Sequence, residues 1–241
     1  MKKIFALAFL LTCYEAATVY AQQFGGYLKS ATPRILNCNP ENLETVVVEV
    51  TSPITNRKWM DRNLGASRKA LSSSDDLAFG DLYQWGRGRD GHQCRDSRTR
   101  SGSISIDRPG HDRFILETIT TDDWRNPQNN SLWQGLGGIN NPCPAGFRIP
   151  TKPEFQLELI DTGAEAFSSF LKLPYAGWRN NTNGAISLIA ESTSYGFLWT
   201  STVSTAEGST NDAEAFAYYS TRAYLNPYAR ARGHSVRCIK N

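Results

Sequence analysis

Two short segments gather side chains of the types that ligate metals or shuttle protons. D-G-H-Q-C at 90–94 and P-G-H-D at 109–112 bring Asp90, His92, Cys94, His111 and Asp112 close together in the chain. Their spacing fits no structural zinc pattern, so no metal ligand is assigned. Asp and Asn are abundant in 107–130, but without the EF-hand spacing, which leaves calcium binding there open. G-H-S-V-R at 233–237 begins like a nucleophile elbow, yet Arg237 stands where the motif closes on glycine. Ser235 therefore reads as a strand residue. No nucleophile and base converge anywhere in the sequence, so no catalytic residue and no cofactor is expected.

Recognition chemistry is better represented. The C-terminal stretch holds Tyr218, Tyr219, Arg222, Tyr224, Asn226, Tyr228, Arg230, Arg232 and His234. Tyr and Arg supply large contact areas and directional donors at modest entropic cost, which is why binding surfaces favour them. These nine residues are the expected ligand face, for a glycan or a protein. Trp124 and Trp133, in Asn-rich surroundings, would either stack on a sugar or pin a long loop, whereas Trp59, Trp85, Trp178 and Trp199 read as core.

The elements that must hold this face are short. The run TVVVEV at 45–50 and KWMDRNL after it read as a strand pair, and FGDLYQWGR as a short buried element between glycines. Residues 87–131 form a long irregular excursion. T-K-P-E at 151–154 predicts a helix start, with Thr151 and Glu154 as a capping box and Pro153 in the first turn. Phe155, Leu157, Leu159 and Ile160 carry that helix to about residues 161–163, and 164–171 form a second, with Ala164, Phe167, Phe170 and Leu171 on one side. The remaining runs, from LKLPYAGW to GHSVRCIK, recur at hairpin spacing. The expected class is α+β, with an antiparallel sheet of four to six strands packed on two short helices and long irregular loops.

The amino-terminal 21 residues carry Lys2 and Lys3, an apolar stretch from Ile4 to Leu11, and V-Y-A before Gln22. This reads as a signal peptide cleaved after Ala21. L-L-T-C around Cys13 resembles a lipobox, but Thr12 occupies the place of its small residue, so cleavage is favoured over lipidation. The apolar stretch is too short to span a membrane, and the expected location is the periplasm, the outer surface or the medium. Residues 22–44 are a lead segment and 45–241 the domain. Removing Lys2, Lys3 and Glu15 leaves a formal charge of +2, against +3 for the whole chain, which gives no electrostatic case for nucleic acid. Cys38, Cys94, Cys143 and Cys238 remain, and in an exported chain they suggest two bridges. The oligomeric state is not legible.

KWMDRNLGA, FGDLYQWGR, NPCPAGFRIPTKPEF, YAGWRNNTNG, GFLWTSTVS and RGHSVRCIKN follow one another as in the Fibrobacter succinogenes major paralogous domain family, which the chain resembles over residues 45–241. That family is similar to the C-type lectin-like superfamily. The resemblance implies a lectin-like fold with adjacent terminal strands and a bridge from Cys143 to Cys238, leaving Cys38 and Cys94 as the second pair by elimination. It also implies a non-catalytic binding protein at the cell envelope or surface. The alternatives are an enzyme of the formylglycine-generating type, a metal-dependent hydrolase, or a structural or adhesin subunit. Against the first, the chain has a single cysteine near its end; against calcium-dependent sugar binding, Trp199-Thr200-Ser201 stands nearest to the W-N-D strand of such lectins. Residues 215–239 contain no Lys, Glu, Gln, Met or Trp, the residues that mutating both adenines of a pyrimidine-ending Asn codon cannot produce. In this the segment resembles the variable proteins of diversity-generating retroelements.

Overall fold

The computed structural model describes residues 45–117, 122–187, 194–208 and 211–241. The first half contributes β1 (Glu49–Thr51), β2 (Lys58–Met60), β3 (Tyr83–Gln84), β4 (Thr99–Ser101), β5 (Phe114–Leu116) and β6 (Phe147–Arg148). Two short helices follow, α1 (Lys152–Gln156) and α2 (Gly163–Ser168). The second half adds β7 (Trp178–Arg179), β8 (Ile186–Ser187), β9 (Tyr195–Val203), β10 (Asp212–Tyr219), β11 (Arg222–Ala229), β12 (Gly233–His234) and β13 (Ile239–Lys240). The class is α+β, as expected. The strands, however, do not form one sheet of four to six. They divide into small sheets ordered β1-β2-β13-β6, β3-β12-β7-β8 and β11-β10-β9, all antiparallel, with β4 and β5 as a parallel pair. Most of these strands are two or three residues long, too short to accumulate into one continuous ladder.

The helix starts follow their capping residues. Glu154 reaches back to accept from the Thr151 amide at 2.8 Å, with Pro153 in the first turn. Thr162 and Glu165 repeat the device at α2, the Thr162 hydroxyl accepting from the Glu165 amide at 3.1 Å and the Glu165 carboxylate from the Thr162 amide at 3.0 Å. The helix lengths differ from expectation. α1 stops at Gln156: Leu157 and Leu159 face solvent, Leu159 has a positive φ of 52°, and Ile160 reaches the core from beyond the helix. In α2 the buried residues are Gly163 and Ala166, and Ala164 is exposed.

The sheet of β9, β10 and β11 separates two apolar clusters. Period-2 alternation sends Leu198, Phe216 and Tyr218 toward the helices, where they meet Phe155, Ala166 and Leu171. Trp199, Ala213 and Ala215 point the other way, toward Trp85, Trp124 and Trp133. The chain's last strand joins the sheet of its first hairpin: β13 lies between β2 and β6, with Ile239 opposite both Trp59 and Arg148. Cys143 and Cys238 are bridged, their Cα atoms 5.9 Å apart across 95 residues of sequence. Cys94 is also disulfide-bonded, and its expected partner Cys38 lies outside the described residues, as do the signal-peptide and lead segments.

The excursion from 87 to 131 is irregular but held from within. The Trp124 indole donates to the Trp85 carbonyl at 2.6 Å, and that of Trp133 to the carbonyls of Arg87 and Asn140 at 3.1 and 3.0 Å. Both rings are fully buried, so they pin the loop and offer no platform to a sugar. Among the described residues no helix is long and apolar enough to cross a membrane.

Candidate binding face

Register decides which of the nine expected ligand residues can act together. In an antiparallel sheet neighbouring residues point to opposite faces, so Tyr218 and Tyr219 cannot share a surface. Tyr218 faces the helices, is fully buried and donates its hydroxyl to the Pro174 carbonyl at 2.6 Å. It is a core residue and leaves the candidate set. Tyr219 pairs with Arg222, Ala217 with Tyr224, Ala215 with Asn226 and Ala213 with Tyr228. Across β10, Tyr195, Phe197 and Trp199 lie opposite Tyr219, Ala217 and Ala215. This face thus carries small alanines on its middle strand and rings on both flanks.

Because the middle strand is small, the flanking rings lean over it. Tyr228 meets Phe197 edge-on at 5.4 Å, and Tyr219 lies 6.0 Å from Tyr195 and 5.8 Å from Tyr224. The phenols of Tyr219, Tyr224 and Tyr228 lie close enough together to perturb one another's ionisation. Burial, followed by Tyr224, pushes the Tyr219 phenol up to about 12, and burial together with its tyrosine neighbours also raises Tyr228. The Tyr219 and Tyr228 hydroxyls therefore stay protonated at neutral pH and can donate.

The guanidinium of Arg222 lies 5.4 Å from the ring centres of both Tyr219 and Tyr224, and that of Arg232 4.7 Å from Trp178 and 5.5 Å from Tyr228. Stacking of this kind leaves the in-plane N–H donors free to bind something else. Tyr219, Tyr224 and Tyr228 are half-buried, and Arg222 and Asn226 are exposed. Trp178, Tyr195 and Phe197 belong to the same assembly and were not foreseen as part of it. Their signal was the alternation in Y-G-F-L-W at 195–199, which puts one ring at every second position.

The remaining two candidates sit deeper. Arg230 is fully buried, stacks 4.6 Å over Trp85, donates to Asn130 at 2.8 Å and approaches Asp123 at 3.7 Å. It is a structural ion held away from the face. His234 is also fully buried, layered 4.2 Å from Trp199 and 4.9 Å from Phe197 with Tyr228 edge-on. Neither ring nitrogen has a partner among the described residues, and burial, aided by the charge on Arg232, holds its pKa well below the usual histidine value.

The metal-type residues do not assemble. His92 is fully buried between the Gln84 amide, which donates to Nε2 at 3.0 Å, and Asp90, which meets Nδ1 at 2.5 Å. Burial, then the charge of Arg87, lowers His92 to about 4. His111 Nδ1 accepts from the Arg113 amide, and no group of three or more His, Cys, Asp or Glu able to hold a metal occurs among the described residues. In the Asp-rich loop, Asp107 pairs with Arg125 at 2.7 Å and accepts from Asn129 at 2.9 Å. Ser235 is buried and lies in an isolated bridge to Leu198, an ordinary extended residue.

No family model, curated protein or solved structure matched this chain.

Proposed function

We propose that this is an exported, non-catalytic, lectin-like binding protein whose ligand surface is formed by the part-exposed Tyr219, Arg222, Tyr224, Asn226, Tyr228 and Arg232, at the margin of the β9–β11 sheet where its Trp199 side emerges from the core. It would act at the cell envelope or surface, in line with the signal-peptide reading of residues 1–21. The carrying observation is that two guanidiniums, stacked on aromatic rings and free of acidic partners among the described residues, share one half-exposed surface with three tyrosines. Stacked guanidiniums in the packed core are bound at their edges, by an acid, as Arg230 is by Asp123, or by carbonyls, as Arg179 is.

The lectin-like assignment, and with it membership of the Fibrobacter succinogenes major paralogous domain family, is supported by two features. The first hairpin, β1–β2, and the last strand, β13, share a single sheet in which β13 pairs with β2, and a bridge runs from Cys143, just ahead of the helices, to Cys238 beside β13. The enzyme and adhesin readings draw on no comparable observation.

Glycan and protein arrays test the proposal. The native domain should retain a ligand that a Tyr219→Ala, Tyr224→Ala, Tyr228→Ala variant loses while keeping its circular dichroism spectrum. Equal retention by a folded triple variant would place the binding surface elsewhere.

A further inference from the structure

The chemistry of this face selects among ligands. Apart from Arg222 and Arg232, its rim is made of tyrosine hydroxyls and the Asn226 amide, and neither arginine forms an ion pair among the described residues. Elsewhere in the fold, guanidiniums that stack on rings are also bound at their edges. Arg179, 4.3 Å over Phe114, donates to the carbonyls of Cys94 and Ser97, and Arg87, 5.6 Å over Trp124, is paired with Asp90. Arg232 lacks this satisfaction: its Nε is shielded from solvent and has no hydrogen-bond partner among the described residues. A buried guanidinium N–H with no acceptor is unfavourable until an acceptor arrives, and the acceptor that best matches its fork is an anionic oxygen pair.

We infer that this face takes an acidic polysaccharide, with Arg232 and Arg222 each binding an anionic substituent and the rings of Tyr219, Tyr224 and Tyr228 carrying the sugar between them. The inference rests on the reading of this face as a recognition surface and adds the class of ligand. Two observations favour a sugar over an acidic peptide. The large apolar side chains that stand exposed, among them Val46, Ile54, Leu71 and Leu159, all lie off this face, so it offers no aliphatic anchor site of the kind peptide side chains fill. What it presents is ring surface edged with hydroxyls, which matches the apolar face and polar rim of a pyranose. The separation of Arg222 and Arg232 by the tyrosines suits charges repeated along a chain.

The test uses the full exported chain and defined probes: polygalacturonate oligomers, the same oligomers after reduction of their carboxyls to alcohols, dextran sulfate, and a polyglutamate peptide. Binding is measured by calorimetry for the native protein, for Arg222→Gln, for Arg232→Gln and for Arg232→Lys. Arg232→Lys retains the charge should the Gln variant fold poorly. The native protein should bind polygalacturonate or dextran sulfate at least about tenfold more tightly than the reduced oligomer, as expected for charge-assisted pairs. The preference should fall with salt, and each Gln substitution should remove about tenfold or more of it. Preference for polygalacturonate over dextran sulfate would identify the anion as a carboxylate, and the reverse as a sulfate. Equal binding of reduced and acidic oligomers, unaltered acid binding by Arg222→Gln together with Arg232→Gln, tighter binding of polyglutamate, or no binding of either acidic polysaccharide would each overturn the inference. A neutral glycan lost on tyrosine substitution but not on arginine substitution would leave the face in place and remove only the acidic class.

Discussion

Replacing His234 by phenylalanine should make this protein more stable, contrary to the usual outcome of altering a fully buried residue. The imidazole is layered between Trp199 and Phe197, with neither nitrogen partnered among the described residues. A neutral imidazole buries one donor and one acceptor, and each unsatisfied group costs about 1–3 kcal/mol. Phenylalanine removes that cost and keeps the ring stacking, while its slightly larger volume opposes the gain by about 1 kcal/mol. The expected net effect at pH 7.5 is a gain of about 1–5 kcal/mol, or roughly 2–4 °C in Tm for each kcal/mol in a domain of this size. The pH dependence gives an independent check. Because burial depresses the His234 pKa in the folded state, below the ordinary histidine value the unfolded chain takes up a proton that the folded chain refuses. Native stability therefore falls with pH in that window, by up to about 1.4 kcal/mol per unit. His92 contributes equally to both proteins, so the gap between His234→Phe and native should widen from pH 7.5 to pH 5. Urea denaturation at both values measures it. A variant less stable than native at pH 7.5, with a gap that does not change at pH 5, would mean that the imidazole is hydrogen-bonded and the reasoning fails.

Glu154 accepts from Arg148 at 2.7 and 2.8 Å, from Arg57 and from the Thr151 amide. Burial alone would raise its pKa, but the bonds to Arg148 and Thr151 outweigh it and bring the carboxyl down to about 2. Its stabilisation is complete above the ordinary glutamate value and lost as pH falls toward about 2. Glu154→Gln should therefore destabilise by about 1–3 kcal/mol at pH 7, discounted for solvent screening, with the deficit closing in acid denaturation curves. Substituting both Cys143 and Cys238 by serine opens a 95-residue loop and should cost about 4–5 kcal/mol on the chain-entropy account, read from denaturation midpoints. Trp124→Phe removes the donor to the Trp85 carbonyl and should expose the 87–131 excursion to limited proteolysis while the hairpin β10–β11 stays protected. Mass spectrometry of the exported chain should find Gln22 at its amino terminus, and an acylated Cys13 peptide would overturn the signal-peptidase reading.

What was legible in the sequence was local chemistry. The capping residues Thr151 and Glu154 marked the first helix start, because a cap is a contact between residues three apart, whereas the same device at Thr162 and Glu165 falls where the sequence predicts the first helix to end. The motif-embedded Cys143 and Cys238 likewise end in a bridge, as the family resemblance implied. What was not legible depended on partners distant in sequence. Leu157 and Leu159 look like a continuing apolar stripe, and only the position of the core shows that α1 has ended. Tyr218 and Tyr219 look alike, and only the register against Ala223 and Arg222 sends one to the core and the other to the face. Arg230 and Arg232 are likewise two apart, yet one has Asp123 beside it and the other has ring faces alone. Trp124 and Trp133 could be read either way until the carbonyls they bond were known.

The placement of β13 between β2 and β6 also sets a timetable. Trp59 belongs to the first strands of the domain, and its sheet is completed by Ile239, some 180 residues later. The Met60 amide bonds to the Cys238 carbonyl and that of Leu64 to Val236, so the early hairpin gains its central neighbour only when the last strand docks. Contacts of such long range must overcome loop-closure entropy before they return any energy, which makes folding slow and concentrates its decisive step late. Until then β2 presents an unpaired edge, and a chain held at that stage is open to strand exchange with its neighbours.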